Sequence, residues 1–153
     1  MSRSRSRTGD RRPAGPPALR TPRPDTLSPE ETDEVRDLVA DWLPLPDVAE
    51  RLDLDIMRVR RLVADGDLAA VRVDGVVQVP AAFLVEAPGG HGAAPLPELR
   101  GTLTVLEDAG YTTAEAVRWL FTPDPTLVEG RPVDTLRAGR KTEIRRRAQA
   151  LGF

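Results

Sequence analysis

Regular apolar spacing starts at Val35: Val35, Leu38, Val39, Trp42 and Leu43 fall at i, i+3, i+4, i+7 and i+8, one stripe of an amphipathic helix. Ser28 is placed to cap it, Pro29 suits the first helical position, Glu31 stands where a capping-box acid belongs, and Pro44 closes it. A helix over 28–43 is expected. Its other face carries Glu30, Asp33, Glu34, Asp37 and Asp41, which suits a scaffold turned away from any polyanion. The pattern then shortens. Pro46-Asp47 open a helix with Val48, Ala49 and Leu52 inward, Asp53-Leu54-Asp55 break it, and a second helix runs from Ile56 to Ala64 on Val59, Leu62 and Val63 until Asp65-Gly66 stop it. Two short helices joined by a tight turn make a helix-turn-helix, whose second helix is the one that enters a DNA major groove. Two β-rich runs, 68–73 and 76–79, flank Asp74-Gly75 and read as a hairpin wing, with a short closing helix expected over 81–85.

Beyond this the pattern is Gly- and Pro-rich from 87 to 96, then helical to the end. Expected helices cover 102–109, a capping-box start at Thr112 with Glu115 and core residues Val117, Leu120 and Phe121, then 132–138 and 141–151. Trp119 is expected in the core. The architecture is therefore mainly α with a small β-hairpin wing: a winged helix-turn-helix with its N-terminal helix over 28–86, a linker over 87–96, and a C-terminal helical bundle over 97–153. Residues 1–26 hold one isolated Leu and many Pro, too little apolar surface to offset ordering entropy, and 1–27 reads as a disordered Arg/Pro-rich tail.

Composition narrows the chemistry. The 153 residues include no Cys, which removes disulfides, thiol nucleophiles and zinc ribbons, and one His, which cannot supply paired imidazole ligands. That His91 lies in the Gly-rich loop, so no Ser-His-Asp set is assembled, and the reading is of a protein that is not an enzyme, with no catalytic residues, metal or cofactor. No apolar run approaches the roughly 20 residues of a membrane span, and the Arg-rich start lacks the centre of a secretory signal. A soluble cytoplasmic protein with no membrane partner is expected.

The formal net charge of -2 conceals an asymmetry: residues 1–27 carry +5 and the remainder -7. The Arg-rich arm suits phosphate tracking and suits a solubilising tail equally. With Val59, Leu62 and Val63 inward, the helical wheel puts Met57 and Arg61 opposite the core, with Arg58 and Arg60 flanking them. Arginine pairs with guanine edges and clamps phosphates, so the candidate DNA contacts are Met57, Arg58, Arg60, Arg61 and, on the wing, Arg72. A solvated charged face is the alternative, and coincidence of the cluster with the second helix of the motif weighs against it. A second basic cluster, Arg140, Lys141, Arg145, Arg146 and Arg147, marks the last helix, where Arg145 and Arg146 are further candidates for phosphate contact or simply favour the helix C-terminus.

Residues 45–84 resemble the winged unit of the MerR and excisionase type, carried by Val59-Arg60-Arg61 followed by Asp65-Gly66-Asp67-Leu68. The resemblance implies a backbone contact for Arg60. The range 28–153 is similar to a small actinobacterial family of DNA-binding proteins known as substrates of the serine/threonine protein kinase L, through LPDVAERL at 45–52, GTLTVLEDAGY at 101–111, WLFTPDPTL at 119–127 and RRRAQALGF at 145–153. It implies double-stranded DNA as partner, a place in transcriptional regulation and in the nucleoid, and a serine/threonine kinase as a further partner, with Thr8 the candidate phosphorylation site. MerR proteins dimerise through a long coiled coil, and no sustained heptads occur here, so monomer and homodimer both stand. Residues 116–139 also resemble the toxin-binding domain of some antitoxins, which offers a rival reading of 97–153 as a protein-binding adaptor.

Overall fold

The structure, a computed structural model, describes residues 29–152. The expected disordered tail, with Thr8, lies outside the described residues. Helix α1 spans Pro29–Leu38 and buries Val35, with Val39 buried just beyond its last residue. It ends five residues before the expected 43. Trp42–Pro44 form strand β1, because Pro44 drives the preceding Leu43 out of helical conformation and towards extended backbone. An apolar strand is waiting to receive them. β3 (Val76–Pro80) pairs antiparallel with β1 in the register Trp42↔Pro80, Leu43↔Val79 and Pro44↔Gln78.

Leu45–Leu52 is α2, starting one residue before the expected Pro46, and Ile56–Ala64 is α3, with the bounds the apolar pattern gives. β2 (Val71–Val73) completes a three-stranded sheet in the order β1-β3-β2. It starts later than the expected run at 68, although Leu68, Ala69 and Ala70 are buried on the approach. Asp74 at φ 53 and Gly75 at φ 82 form the two-residue turn between β2 and β3, both left-handed as a type I′ hairpin requires.

The closing helix expected over 81–85 is only a 3-10 turn, Ala81–Phe83. Leu84–Glu86 then form β4, antiparallel to β5 (Ala93–Pro95). The stretch 87–96, expected as a linker, is thus the tip and return strand of a hairpin that ends in buried Leu96. Its glycines 89, 90 and 92 all have positive φ, which is what a tight reversal there needs.

Four helices follow: α4 (Leu99–Asp108), α5 (Thr113–Phe121), α6 (Pro132–Arg137) and α7 (Lys141–Ala150). α4 begins three residues earlier than its apolar pattern suggests. The capping box that opens α5 is present in both halves, Thr112 accepting from the Glu115 N–H and the Glu115 carboxylate accepting from the Thr112 N–H at 2.9 Å. Trp119 is half-buried against the core. One apolar cluster runs through both halves of the chain, from Val35, Val48 and Val59 to Leu106, Leu120 and Ile144. The rings of Phe83 and Phe121 meet across the join at 5.6 Å. The described residues thus form a mostly helical protein with a winged helix-turn-helix and a C-terminal helical region. No helix among them is long and apolar enough to cross a membrane.

Candidate nucleic-acid interface

The geometry of α3 is fixed at both ends by local chemistry. Asp53 takes the left-handed conformation (φ 57, ψ 45) that ends α2, which Asp tolerates better than most residues. Two residues later Asp55 caps α3, its carboxylate accepting from the Arg58 N–H at 2.9 Å. At the far end the Asp65 N–H donates to the Arg61 carbonyl and Gly66, at φ 87, turns the chain away. Val59 is fully buried, with Leu62 and Val63 packed beside it. This phase leaves Met57, Arg58, Arg60 and Arg61 exposed, as the helical wheel gives.

The wing has its own support. Arg72 is exposed on β2, and its Nη1 donates to the Gly75 carbonyl at 3.2 Å, so the side chain lies along the wing towards its tip. The tip is held from α1, where Arg36 Nη2 donates to the Asp74 carboxylate at 2.8 Å. Asp67, in the loop between α3 and β2, is paired with Arg100 of α4 at 3.7 Å. Two acids of the winged unit are thereby paired with cations from α1 and α4, although Arg36 is shared with Asp33 at 3.1 Å.

The cations divide by place. In the C-terminal half, Lys141 and Arg145 share Glu98 (3.5 and 3.8 Å), Arg140 pairs with Glu129 (3.4 Å), and Arg147 pairs with Asp124 and Glu143 (both 3.1 Å). Asp124 also accepts from the hydroxyl and the N–H of Thr126, which with Arg147 holds its carboxyl below the usual carboxylate range. Arg145 lies over Gly101 where α4 crosses α7; a methyl on Gly101 would come within 2.5 Å of its Nη2. Of the two candidates on α7, Arg145 is therefore engaged within the fold. Arg146 is exposed and has no described carboxylate at ion-pairing distance.

No such partner among the described residues meets Arg58, Arg60, Arg61 or Arg72. Arg51, exposed in the last turn of α2, shares that condition. Sequence reasoning passes over it because its neighbours Asp47, Glu50 and Asp53 give α2 an acidic character. The signal that finds it is positional: the first helix of a helix-turn-helix crosses the sugar-phosphate backbone. His91 lies exposed at the tip of the β4–β5 hairpin, apart from any cluster of metal-ligating residues among the described ones.

Comparison with known proteins places this geometry in a family. Residues 29–84 match the family model described as "DNA-binding protein Rv2175c, wHTH domain", and residues 96–152 match the "Rv2175c C-terminal domain of unknown function". Over 132 residues the chain is 39% identical to "DNA-binding protein Rv2175c" of Mycobacterium tuberculosis (strain ATCC 25618 / H37Rv), covering 79% of this chain and 87% of that protein. The chain belongs to the Rv2175c family. The solved solution structure of Rv2175c is similar throughout, with a TM-score of 0.66 and 33% identity over 92% of this chain and 99% of that one. Both halves of this chain therefore have their counterparts in the Rv2175c family, the winged unit with Arg58, Arg60 and Arg61 in the first match and the paired cluster around Glu98 in the second.

Proposed function

We propose that this protein binds double-stranded DNA, with α3 in the major groove, the β2–β3 wing against the flanking backbone, and regulation of transcription as the outcome. The observation that carries the reading is the distribution of cations: guanidinium groups without a described carboxylate partner gather on α2, α3 and β2, while most of those on α7 and its approach are paired within the fold. An unpaired guanidinium is available to phosphate oxygens and guanine edges at no cost in broken ion pairs. The relative named as a DNA-binding protein supports the same reading. Arg60 and Arg72 take phosphates, Arg58 and Arg61 face the base edges, and Arg146 adds a further phosphate contact from α7.

The proposal extends to the nucleoid as the place of action and to a serine/threonine kinase acting on Thr8. A phosphate there lowers the positive charge of the arm and with it the sequence-independent part of the affinity. For an adaptor surface on 97–153 the described residues offer Val128 as a large, exposed apolar side chain, too little for a hydrophobic interface.

Fluorescence anisotropy with a 30-base-pair random duplex across a salt series tests the reading. Changing Arg58, Arg60 and Arg61 together to Ala is expected to weaken binding at least ten-fold and to lower the salt slope by about one for each phosphate no longer neutralised. Unchanged affinity and slope in the triple variant would end the DNA reading. A chain starting at Ser28 gives the arm's share.

A further inference from the structure

Resting on the DNA-binding reading above, we infer that Met57 reads the C5-methyl group of a thymine, making it a residue that determines sequence preference. Met57 is 70% exposed, in the first turn of α3. The N-terminal residues of a recognition helix are the ones that meet base edges. Its neighbours on the helix surface, one turn on, are Arg60 and Arg61, and Arg58 follows it directly. An apolar side chain with two guanidinium groups one turn along the same face and a third on its flank is a poor seat for another protein's apolar surface, because docking there would strip water from cations that have no described partner. The same arrangement matches a polyanion whose groove floor displays an apolar group. In the major groove of unmodified DNA that group is the thymine methyl, beside the acceptors of guanine and the donors of adenine and cytosine that suit or repel the surrounding arginines.

The thioether also fits the task physically. Methionine is unbranched and adapts to an irregular surface, so it can follow a methyl group without a preformed pocket. The consequence is a preference for a thymine at one step next to the positions that Arg58 and Arg61 read, and indifference of Met57 to the phosphates.

The test uses the full chain. Bound fragments are first selected from a random duplex pool, and the consensus duplex is then remade with deoxyuridine in place of thymidine at each position in turn. At one step the absence of the methyl is expected to weaken wild-type binding roughly four-fold, the value of one buried methyl-sized group. Met57→Ala is expected to bind the thymidine and deoxyuridine duplexes equally at that step, with the salt slope of the wild type. Because Met57 is exposed, its removal leaves the thermal unfolding midpoint in place, which confirms folding of the variant.

The inference is overturned if no deoxyuridine substitution changes wild-type affinity, if Met57→Ala still distinguishes the two duplexes, or if that variant instead loses self-association in sedimentation while its DNA binding is untouched. In each of these the wild type still binds with a normal salt slope, so the DNA-binding reading stands. Absence of salt-dependent binding by the wild type overturns both.

Discussion

Asp55 serves two ends that oppose each other. Its carboxylate caps α3 by accepting from the Arg58 N–H, and it places a negative charge at the end of the helix that, in the proposed complex, enters the polyanion's groove. A Ser at 55 keeps an N-cap acceptor and removes the charge. Asp55→Ser is expected to change stability by less than about 0.5 kcal/mol and to tighten duplex binding, whereas Asp55→Ala costs about 1 kcal/mol of unfolding free energy. Urea denaturation beside anisotropy separates the two effects, and equal affinity in Asp55→Ser and wild type would mean that the N-terminus of α3 lies away from DNA. Asp124 offers a second single-residue test, this time of pH. Its carboxyl is held below the ordinary value of 3.8 in the folded chain by Thr126 and Arg147, so the unfolded chain takes up its proton first as pH falls. The stability it contributes is present above that ordinary value and is lost as pH falls through the lower, folded one. Thermal midpoints of wild type and Asp124→Asn are therefore expected to differ near neutral pH, with the wild type higher, and to converge in strong acid.

Among the elements, the α4–α7 crossing shows two local effects of opposite sign. Gly101 sits inside α4, where glycine is unfavourable by about 1 kcal/mol relative to alanine. The Cβ of an alanine would meet the guanidinium of Arg145, the free end of a flexible side chain that is itself 42% exposed. Moving that group breaks a 3.8 Å pairing with Glu98, an exposed ion pair contributing at most a fraction of a kcal/mol. Helix propensity wins: Gly101→Ala is expected to raise the unfolding free energy by about 0.5 kcal/mol and to release Arg145 into solvent, measured by chemical denaturation. A loss above about 1 kcal/mol, the whole of the propensity difference, would show that Arg145 cannot move.

The helices are legible where the signals are local. Asp55, Gly66 and the Val59–Leu62–Val63 phase bound α3 unaided, and Thr112 with Glu115 marks the start of α5. Trp42 and Leu43 read as helix because they continue a helical phase, while the strand that claims them is Val76–Pro80, more than thirty residues away. The β4–β5 hairpin escapes for a related reason: strands of three residues around a Gly-rich tip have the composition of a linker. At the candidate site the arginine face of α3 follows from periodicity alone. The pairing of Arg147 with Glu143, four residues back on α7, is legible too, but the engagement of Arg145 by Glu98 and of Arg147 by Asp124 is not, since those carboxylates are brought to them only by tertiary packing.

Across the whole molecule, the two halves that match separate family models share one apolar interior. Phe83, fully buried at the end of the wing, meets Phe121 of α5. Arg137 of α6 donates to the carbonyls of Ala82 and Leu84 at 2.6 and 2.8 Å, Arg118 of α5 reaches Glu34 of α1, and Arg100 reaches Asp67. The Arg118–Glu34 and Arg100–Asp67 ion pairs are exposed and contribute little each; the aromatic seam and the Arg137 hydrogen bonds join the halves more firmly. Phe83→Ala removes a large buried side chain and is expected to cost about 3–5 kcal/mol, a large part of a typical domain's total. The two tryptophans allow the coupling to be read directly, because Trp42 lies in β1 of the winged unit and Trp119 in α5 of the C-terminal region. With Trp119→Phe reporting the first and Trp42→Phe the second, urea unfolding followed by fluorescence should give coincident transitions that Phe83→Ala moves together. If Phe83→Ala leaves too little folded chain to measure, Phe83→Leu, at a cost of about 1.5 kcal/mol or less, carries the same comparison. Transitions that separate, with the Trp119 signal unmoved by the change at Phe83, would mean that the C-terminal region stands alone and cannot brace α3 through this seam.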